Sequence, residues 1–369
     1  MRVACVVGAR PQFIKAAPVS RAMKRLGVDE LLVHTGQHYD TEMSELFFQQ
    51  LGLPEPTVNL GVGSGTPGWQ VGQMLIRLEN FLREHPVNSV LVYGDTNTTL
   101  AGALAANKLG IRLAHVEAGL RSFNRTMPEE HNRVLTDHVS DLLFCPTSNA
   151  VANLKRENIL DDVHLVGDTM YDALLQFLSM AESSSRILER LALESGSYLL
   201  ATIHRQSNTD VPENLVRLLE ILSAAGETVV FPVHPRTRKK IDHLQTEGKL
   251  PSSKNVRFLD PVGYLDMLTL ERHARTVLTD SGGVQKEAFL LAVPCVTLRT
   301  ETEWVETLEG GWNAVAGLEP QCVLEALRRP RPSEKPPPVF GDGKASEKIV
   351  EVLMINQESP TAAPTGLRQ

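Results

Sequence analysis

The segment VLVYGDTNTTLAGALAANKLGIRLAHVEAGL, residues 90–120, carries a complete strand–helix–strand pattern. Two short apolar runs, predicted as strands Ser89–Tyr93 and Ile111–Val116, flank a helix-length stretch. Asp95 and Glu117 directly follow these runs. Ligands of doubly wound α/β proteins bind at the carboxyl ends of the strands. The segment therefore predicts a parallel sheet with a polar site at its edge.

The same alternation continues through the chain and predicts a second series of βα units. The other predicted strands are Arg2–Val7, Glu30–Thr35, Leu142–Cys145, Tyr198–Ile203, Thr228–Val233, Val256–Leu259, Thr276–Thr279 and Cys295–Leu298. The predicted fold class is α/β, with two Rossmann-like doubly wound domains facing a cleft.

Domain boundaries are predicted from breaks in this alternation. We expect an N-terminal domain over residues 1–168 and a C-terminal domain over residues 169–340. A long helical pattern at Tyr171–Leu193 contains or follows the hinge, and the proline-rich stretch Pro330–Pro338 predicts an extended linker. A helix at about 343–357 is expected to pack back on the first domain.

Composition limits the kinds of partner. A chain of 369 residues with 42% hydrophobic residues is large enough for two cores. Its net charge of −7 argues against nucleic acid as a partner. We find no run of roughly 18 apolar residues that would suit a membrane helix. The four scattered cysteines indicate neither a zinc site nor a disulfide framework, so we expect a cytoplasmic protein without a metal.

An anion site is predicted in VVGARPQFIKAAPV, residues 6–19. A buried strand ends at Gly8, and a turn with Arg10 and Lys15 then enters a helix. Helix N-terminal amides and two cations suit a phosphate. A solvated helix start with two surface cations fits this segment equally well. The glycines of a dinucleotide fingerprint do not follow Gly8.

TDSGGVQKEAFL, residues 279–290, has the same construction in the second half. Ser281 is suited to cap the helix, and Gly282 and Gly283 allow a phosphate to approach the backbone. Glu287, about two turns into the helix, could accept from a ribose diol. A merely capped helix is the alternative, but two such turns together favour a diphosphate.

Three carboxylates are candidates for acid–base chemistry: Asp95, Glu117 and Glu129. The last two lie in HVEAGLRSFNRTMPEEHNR, residues 115–133. Carboxylates that are close together and desolvated titrate in a coupled way that suits general acid and base catalysis. The alternative is a structural salt-bridge network that uses the arginines of this segment, Arg121, Arg125 and Arg133.

Two histidines, His204 and His234, lie at the ends of consecutive predicted strands of the second domain and are expected to point into the cleft. A metal site is the weaker interpretation, because no third ligand occurs at a suitable spacing. The basic run at Arg236–Lys240 is most simply a solvated helix face.

In its ordered motifs the chain resembles the non-hydrolysing UDP-N-acetylglucosamine 2-epimerases. The motifs run from GARPQFIKAAPV through VYGDTNTTLAGALAA, HVEAGLRS, MPEEHNR, VGDTMYDAL and ATIHRQ to DSGGVQKEA, and they cover nearly the whole chain. The resemblance implies a cofactor-free, homodimeric isomerase with the GT-B fold, and a UDP-sugar as its ligand. It implies anti elimination of UDP, a 2-acetamidoglucal intermediate and re-addition of UDP.

Residue roles follow from the same resemblance. It gives acid–base roles to Asp95, Glu117 and Glu129, and makes His204 a catalytic residue that stabilises departing UDP. The UDP-sugar ligands that it implies are Arg10, Lys15, Arg133, His204, Val262, Met267, Ser281, Gly282, Gly283 and Glu287. Val262 and Met267 would lie beside the uracil.

Other activities stay open. GARPQFIKAAPVSRA and TEWVE also resemble the branch that acts on UDP-2,3-diacetamido-2,3-dideoxyglucuronate. A GT-B glycosyltransferase or a non-catalytic UDP-sugar sensor would use the same phosphate turns. Substrate-activated bacterial relatives typically carry an arginine after a Gln-His pair, where Tyr39 and Asp40 stand here. We therefore expect hyperbolic kinetics.

Overall fold

The computed structural model describes residues 1–37, 52–250 and 254–355, with the Arg10 side chain left outside the description. Tyr39 and Asp40 also lie outside the described residues. The chain divides into two compact units. The first comprises the described residues up to Leu175 and those from Pro338 onward, and the second comprises those from Gln176 to Pro337.

The first unit contains a parallel sheet in the order β3-β2-β1-β4-β5-β6-β7. Its strands are β1 (Arg2–Val7), β2 (Asp29–His34), β3 (Val58–Asn59), β4 (Ser89–Tyr93), β5 (Arg112–Val116), β6 (Leu142–Cys145) and β7 (Val163–Leu165). Every residue of β4 is buried, as expected for a central strand covered on both faces. All the carboxyl ends therefore lie along one edge of this sheet.

Helices of the first unit connect successive strands. Their bounds are α1 (Arg10–Leu26), α2 (Pro67–Glu84), α3 (Asn97–Leu109), α4 (Pro128–Val139), α5 (Ser148–Arg156) and α6 (Thr169–Ser184), of which α6 continues into the second unit. The alanine-rich face of α3 packs on β4 and β1. Gly102 allows this close approach, since a Cβ there would lie 2.8 Å from a Val92 methyl group.

The second unit contains its own parallel sheet in the order β10-β9-β8-β11-β12-β13. Its strands are β8 (Tyr198–Thr202), β9 (Thr228–Pro232), β10 (Val256–Leu259), β11 (Thr276–Thr279), β12 (Cys295–Thr297) and β13 (Asn313–Val315). Its helices are α7 (Ile187–Leu191), α8 (Gln206–Thr209), α9 (Pro212–Ala224), α10 (Pro235–Thr246), α11 (Tyr264–His273), α12 (Gly282–Leu290) and α13 (Pro320–Leu327), with a 3₁₀ segment at Val305–Gly311.

The α/β class with two doubly wound, Rossmann-like units is confirmed. The ten predicted strands are present, with ends that differ by no more than one residue. Sequence periodicity missed β3, β7 and β13, which have two or three residues each and are too short for a visible alternation. The helical pattern at Tyr171–Leu193 is interrupted between α6 and α7.

The last described helix, α14 (Ala345–Ile355), belongs to the first unit and packs on α1. Asp172 on α6 accepts hydrogen bonds from the Ala345 amide at 3.2 Å and the Ser346 amide at 2.7 Å. A carboxylate at a helix N-terminus satisfies amides that have no partner within the helix. Asp172 thus fixes the start of α14.

Candidate active site

Glu117 follows β5 and adopts a left-handed backbone conformation, with φ of 75°. Its amide and that of Ala118 both donate to the Phe144 carbonyl on β6, at 3.0 and 3.1 Å. Its carboxylate forms a buried ion pair with Lys15 of α1. A non-glycine residue with positive φ is strained, and such strain is concentrated at functional sites.

Gly94, at the end of β4, leaves room for this ion pair. A Cβ at this position would lie 3.1 Å from Lys15 Nζ and 3.3 Å from Glu117 Oε2. Its φ of 64° also favours glycine. The Gly94 amide donates to the Val116 carbonyl at 3.0 Å, which holds the two strand ends in register.

Asp95 lies one residue further along and forms an ion pair with Arg133 of α4. The Asp95 side chain is 28% exposed, whereas that of Arg133 is 2% exposed. Thr96, and not Asp95, caps α3 by accepting from the Thr99 amide. Asn132 donates to the Asp95 carbonyl at 3.0 Å. The Asp95 carboxylate is therefore oriented by α4 and stays accessible.

Two adjacent glutamates at the start of α4 have different environments. Glu129 is partly exposed in the first turn, where a negative charge is favoured. Glu130 is buried, accepts from the Ser122 and Phe123 amides at 2.9 Å each, and pairs with Arg133 at 2.9 Å. Glu130 therefore fixes the loop before α4.

Arg121 belongs to a structural cluster under the sheet edge. It pairs with Asp137 at 2.7 Å and Glu157 at 2.6 Å. Asp137 also contacts His115 Nδ1 at 2.7 Å, and His115 Nε2 lies 2.7 Å from the Gly94 carbonyl. Burial would raise the pKa of Asp137, but His115 and Arg121 outweigh it, and the pKa is lowered. The predicted salt-bridge network thus exists for Arg121, at carboxylates other than Glu117 and Glu129.

The turn before α1 shows how its backbone amides are used. The amides of Gly8 and Ala9 donate to Gln12 Oε1 at 2.9 and 3.1 Å. Pro11 lacks an N–H group, so an anion at this helix start would depend largely on side chains. Lys15 is buried beside Glu117, while the Arg10 side chain lies outside the description.

His204 lies two residues after β8, the first strand of the second unit, and its position is fixed by Asp280. The fully buried Asp280 carboxylate accepts from the His204 and Arg205 amides at 3.1 Å and from Asn208 Nδ2 at 3.0 Å. Asp280 Oδ1 also lies 3.3 Å from His204 Nδ1, and the imidazole is 51% exposed. This geometry directs the other ring nitrogen, Nε2, away from Asp280.

His234 lies two residues after β9, at the start of α10. It is the N-cap of α10, where Nδ1 accepts from the Arg236 amide at 3.2 Å. The following basic run forms the exposed side of α10, as predicted, and Arg236 and Lys240 both pair with Asp210.

Ser281 is the N-cap of α12, and Gly282 and Gly283 are its first two residues. The Ser281 hydroxyl accepts from the Val284 amide at 3.5 Å. A Cβ at Gly282 would collide with the Glu303 carboxylate and lie 3.1 Å from Trp304 Nε1. The absence of a side chain at Gly282 therefore allows residues 303–304 to pack closely, in addition to leaving room for a phosphate.

Glu287 lies on α12, with its carboxylate buried and Oε1 accepting from the Tyr264 hydroxyl at 2.8 Å. Val262, Met267 and Val284 are partly buried and pack against the same hydrophobic cluster of the second unit. The described part of the chain thus combines an oriented carboxylate, a glycine turn and apolar side chains in one unit, a combination that suits a nucleoside diphosphate.

Sequence reasoning missed three residues that orient the candidate groups: Glu130, Asp280 and Tyr264. Asp280 had a visible signal, since it directly follows a strand and precedes the Ser-Gly-Gly turn. Glu130 and Tyr264 had no such signal, because only the fold brings them to Arg133 and Glu287.

The two units and their charged strand ends define a doubly wound α/β protein of the kind that binds nucleotide-like ligands. A family model described as UDP-N-acetylglucosamine 2-epimerase matches residues 21–354. The chain belongs to the UDP-N-acetylglucosamine 2-epimerase family.

Individual relatives cover almost the whole chain. A UDP-N-acetylglucosamine 2-epimerase homolog from Methanococcus maripaludis is 51% identical over 96% of this chain and 99% of its own length. The UDP-2,3-diacetamido-2,3-dideoxy-D-glucuronate 2-epimerase of Pseudomonas aeruginosa is 47% identical, with the same coverage of both chains. The crystal structure of the Methanocaldococcus jannaschii UDP-GlcNAc 2-epimerase with UDP-GlcNAc and UDP matches with a TM-score of 0.89, 44% identity, and coverage of 96% of this chain and 100% of that one.

No helix within residues 1–37, 52–250 and 254–355 has the length and apolar character needed to cross a membrane.

Proposed function

We propose that this protein interconverts UDP-N-acetylglucosamine and UDP-N-acetylmannosamine at C2. The proposal rests on family membership, on relatives named for this activity, and on one structural observation. That observation is the buried Glu117 carboxylate, which lies on a strained backbone and is held by Lys15 after β5, while Asp95 follows the neighbouring strand β4.

The chemistry is an elimination followed by an addition. A base removes the C2 proton while the bond from C1 to the UDP oxygen breaks, which gives a 2-acetamidoglucal and UDP. An acid then returns a proton to the opposite face of C2, and UDP adds again at C1. The C2 proton is weakly acidic, so stabilising the charge on departing UDP lowers the barrier more than a strong base would.

Asp95, Glu117 and Glu129 are assigned the two proton transfers. Their surroundings support separate roles, because Glu117 is paired with a lysine, Asp95 with an arginine, and Glu129 has a partly exposed position at a helix start. Lys15, Arg133 and Arg10 would stabilise negative charge on the substrate.

Groups of the second unit are assigned to UDP. Ser281, Gly282 and Gly283 would donate to the diphosphate at the start of α12, where the helix dipole favours an anion. His204 in its doubly protonated form would donate from Nε2 to the leaving phosphate oxygen, while Nδ1 faces Asp280. Glu287 would accept from the ribose, and Val262 and Met267 would contact the uracil.

An exchange experiment tests the proposal. Purified protein is incubated with UDP-N-acetylglucosamine in D₂O, and C2 is followed by NMR. We expect the manno epimer to form with deuterium at C2. Binding without exchange would indicate a UDP-sugar sensor, and sugar transfer only with an added acceptor would indicate a glycosyltransferase. Either result would contradict the proposal.

A second substrate is favoured by one observation, the 47% identity to the Pseudomonas aeruginosa enzyme named for UDP-2,3-diacetamido-2,3-dideoxy-D-glucuronate. That sugar carries an additional carboxylate and requires a cation. Competition between the two UDP-sugars in one D₂O reaction would identify the preferred substrate from the ratio of their kcat/KM values.

The proposal also includes the homodimer and the cytoplasmic location expected from the sequence. All four cysteines are free and three of them are buried, which supports a reducing compartment. Sedimentation velocity would test the dimer, and a monomer at working concentration would contradict it.

A further inference from the structure

Tyr264 and Glu287 form a buried pair in the second unit. The tyrosine hydroxyl donates to Glu287 Oε1 at 2.8 Å. Tyr264 is 3% exposed and Glu287 is 5% exposed, so water competes little for either group. A hydrogen bond to a carboxylate is stronger than one between neutral groups, particularly away from water.

The tyrosine is itself held rigidly. It is the first residue of α11, directly after the N-cap Gly263. Its ring packs edge-on against Phe177, with ring centroids 5.7 Å apart at 85°. Phe177 is fully buried, and both aromatic residues belong to the second unit. The hydroxyl therefore acts from a fixed point.

Glu287 has the opposite character, because a glutamate side chain has three rotatable bonds. Binding that must first order such a side chain loses affinity. A carboxylate offers about four acceptor positions. It can therefore accept from Tyr264 and from a vicinal diol at the same time.

The neighbours of this pair also indicate the ligand. Val262 and Met267 lie two positions before and three positions after Tyr264, and both are partly buried in the cluster that also includes Val284. Ser281, which caps α12, lies on the same helix start as Val284. A planar apolar base would contact Val262 and Met267, a diol would bind Glu287, and an anionic group would bind at Ser281.

We propose that Tyr264 is a positioning residue that holds the Glu287 carboxylate in the orientation that accepts the ribose diol of UDP. This inference rests on the proposed function, because it takes a uridine diphosphate sugar as the ligand. Tyr264 does not touch the reacting C1 and C2 atoms in this scheme. Its effect is therefore on affinity and KM, with kcat nearly unchanged.

The test is the variant Tyr264→Phe, which removes only the hydroxyl. Dissociation constants are measured by calorimetry for UDP and for 2′,3′-dideoxyuridine diphosphate, which lacks the diol. We expect Tyr264→Phe to weaken UDP binding roughly tenfold, the usual effect of one hydrogen bond to a charged group, and dideoxy binding less than about twofold. The preference for UDP over the dideoxy nucleotide should therefore shrink.

Tyr198→Phe is the matched control. The Tyr198 hydroxyl is also buried in the second unit, but it donates to the Leu270 carbonyl at 2.7 Å from the first residue of β8. We expect this variant to lose stability and keep the preference for the ribose. Thermal unfolding of both variants separates loss of fold from loss of orientation.

Two results would overturn the inference. One is an unchanged affinity for both nucleotides in Tyr264→Phe, and the other is an equal weakening of both, since either leaves the preference for UDP unchanged. The two proposals can fail separately. If Tyr264→Phe reduces the preference for UDP but the wild-type protein exchanges no deuterium at C2, the role of Tyr264 is supported and the proposed epimerisation is contradicted.

Discussion

Single side chains of the candidate site are held by partners distant in sequence. Glu117 keeps an unfavourable backbone conformation, which costs of the order of 1 kcal/mol, because two hydrogen bonds to Phe144 and the ion pair with Lys15 fix it. Asp280 similarly fixes the turn at His204 by accepting hydrogen bonds from its backbone amides. These residues are oriented before any ligand binds.

Glu117→Gln removes the charge and keeps the size of the side chain. We expect C2 exchange to slow by roughly 10³-fold or more, since a proton-transfer group is lost. UDP affinity should stay within a few-fold, because most of the proposed UDP groups belong to the second unit. Glu79→Gln, at an exposed pair with Arg83, is the control. Near-normal exchange in Glu117→Gln would contradict a role in proton transfer and indicate that this carboxylate is structural.

Asp280→Asn tests the support of His204. In this variant the side-chain NH₂ group of asparagine would face the backbone N–H groups that now donate to the Asp280 carboxylate. We therefore expect UDP binding to weaken roughly tenfold and the free energy of unfolding to fall by about 1–3 kcal/mol. Calorimetry and urea unfolding measure the two effects. Asp210→Asn, at a surface pair with Lys240, should leave UDP binding unchanged. Unaltered UDP affinity in Asp280→Asn would separate Asp280 from ligand binding.

At the scale of elements, the ends of β4 and β5 are joined to α4 by the Asp137 cluster. Asp137 contacts His115 on β5, the Gly119 amide at 3.1 Å and Arg121. Burial opposes the charge on Asp137, but His115 and Arg121 lower its pKa overall. The strand ends that carry Asp95 and Glu117 thus share one buried support.

This cluster makes stability depend on pH. A carboxyl whose pKa is lower in the folded state stabilises the fold above its unfolded pKa, about 3.9 for aspartate, and loses that contribution as pH falls through the folded pKa. We expect Asp137→Asn to lower the free energy of unfolding by roughly 3–5 kcal/mol at pH 7, because it leaves buried charges without their partner.

Urea unfolding of wild type and Asp137→Asn between pH 3 and 7 measures this dependence. The difference between the two proteins should be constant above about pH 5 and shrink below about pH 4. A difference that grows with acid would show that the Asp137 charge does not stabilise the fold.

At the scale of the whole molecule, the proposed chemistry is divided between the units. The candidate acid–base groups belong to the first unit, and the candidate UDP groups belong mostly to the second. The segment after Pro338 returns to the first unit, where Asp172 caps α14.

Substrate kinetics are a property of the whole molecule. Because Tyr39 and Asp40 replace the arginine found after the Gln-His pair in substrate-activated relatives, we expect hyperbolic rate curves with UDP-N-acetylglucosamine. Initial rates over a hundredfold range of substrate measure this. Sigmoidal curves, or activation of the reverse reaction by added UDP-N-acetylglucosamine, would contradict the expectation.

Sequence alone determined the class of the fold, ten of the strands and the candidate carboxylates. These features are local: apolar runs, helical periodicity and turn residues act on their near neighbours. The short edge strands β3, β7 and β13 were not predicted, because two or three residues show no periodicity. The Ser281 cap was predictable for the same local reason, since its partner is three residues away.

Only the tertiary structure decided which charges meet. Lys15 and Glu117 are 102 positions apart, and Asp280 and His204 are 76 positions apart. A charged side chain in the sequence has many possible partners, and the packing of helices on the sheet selects among them. In the folded protein Arg121 pairs with Asp137, and Arg133 pairs with Asp95. A buried charge is stable only beside an opposite charge, and the fold determines which opposite charge lies within reach.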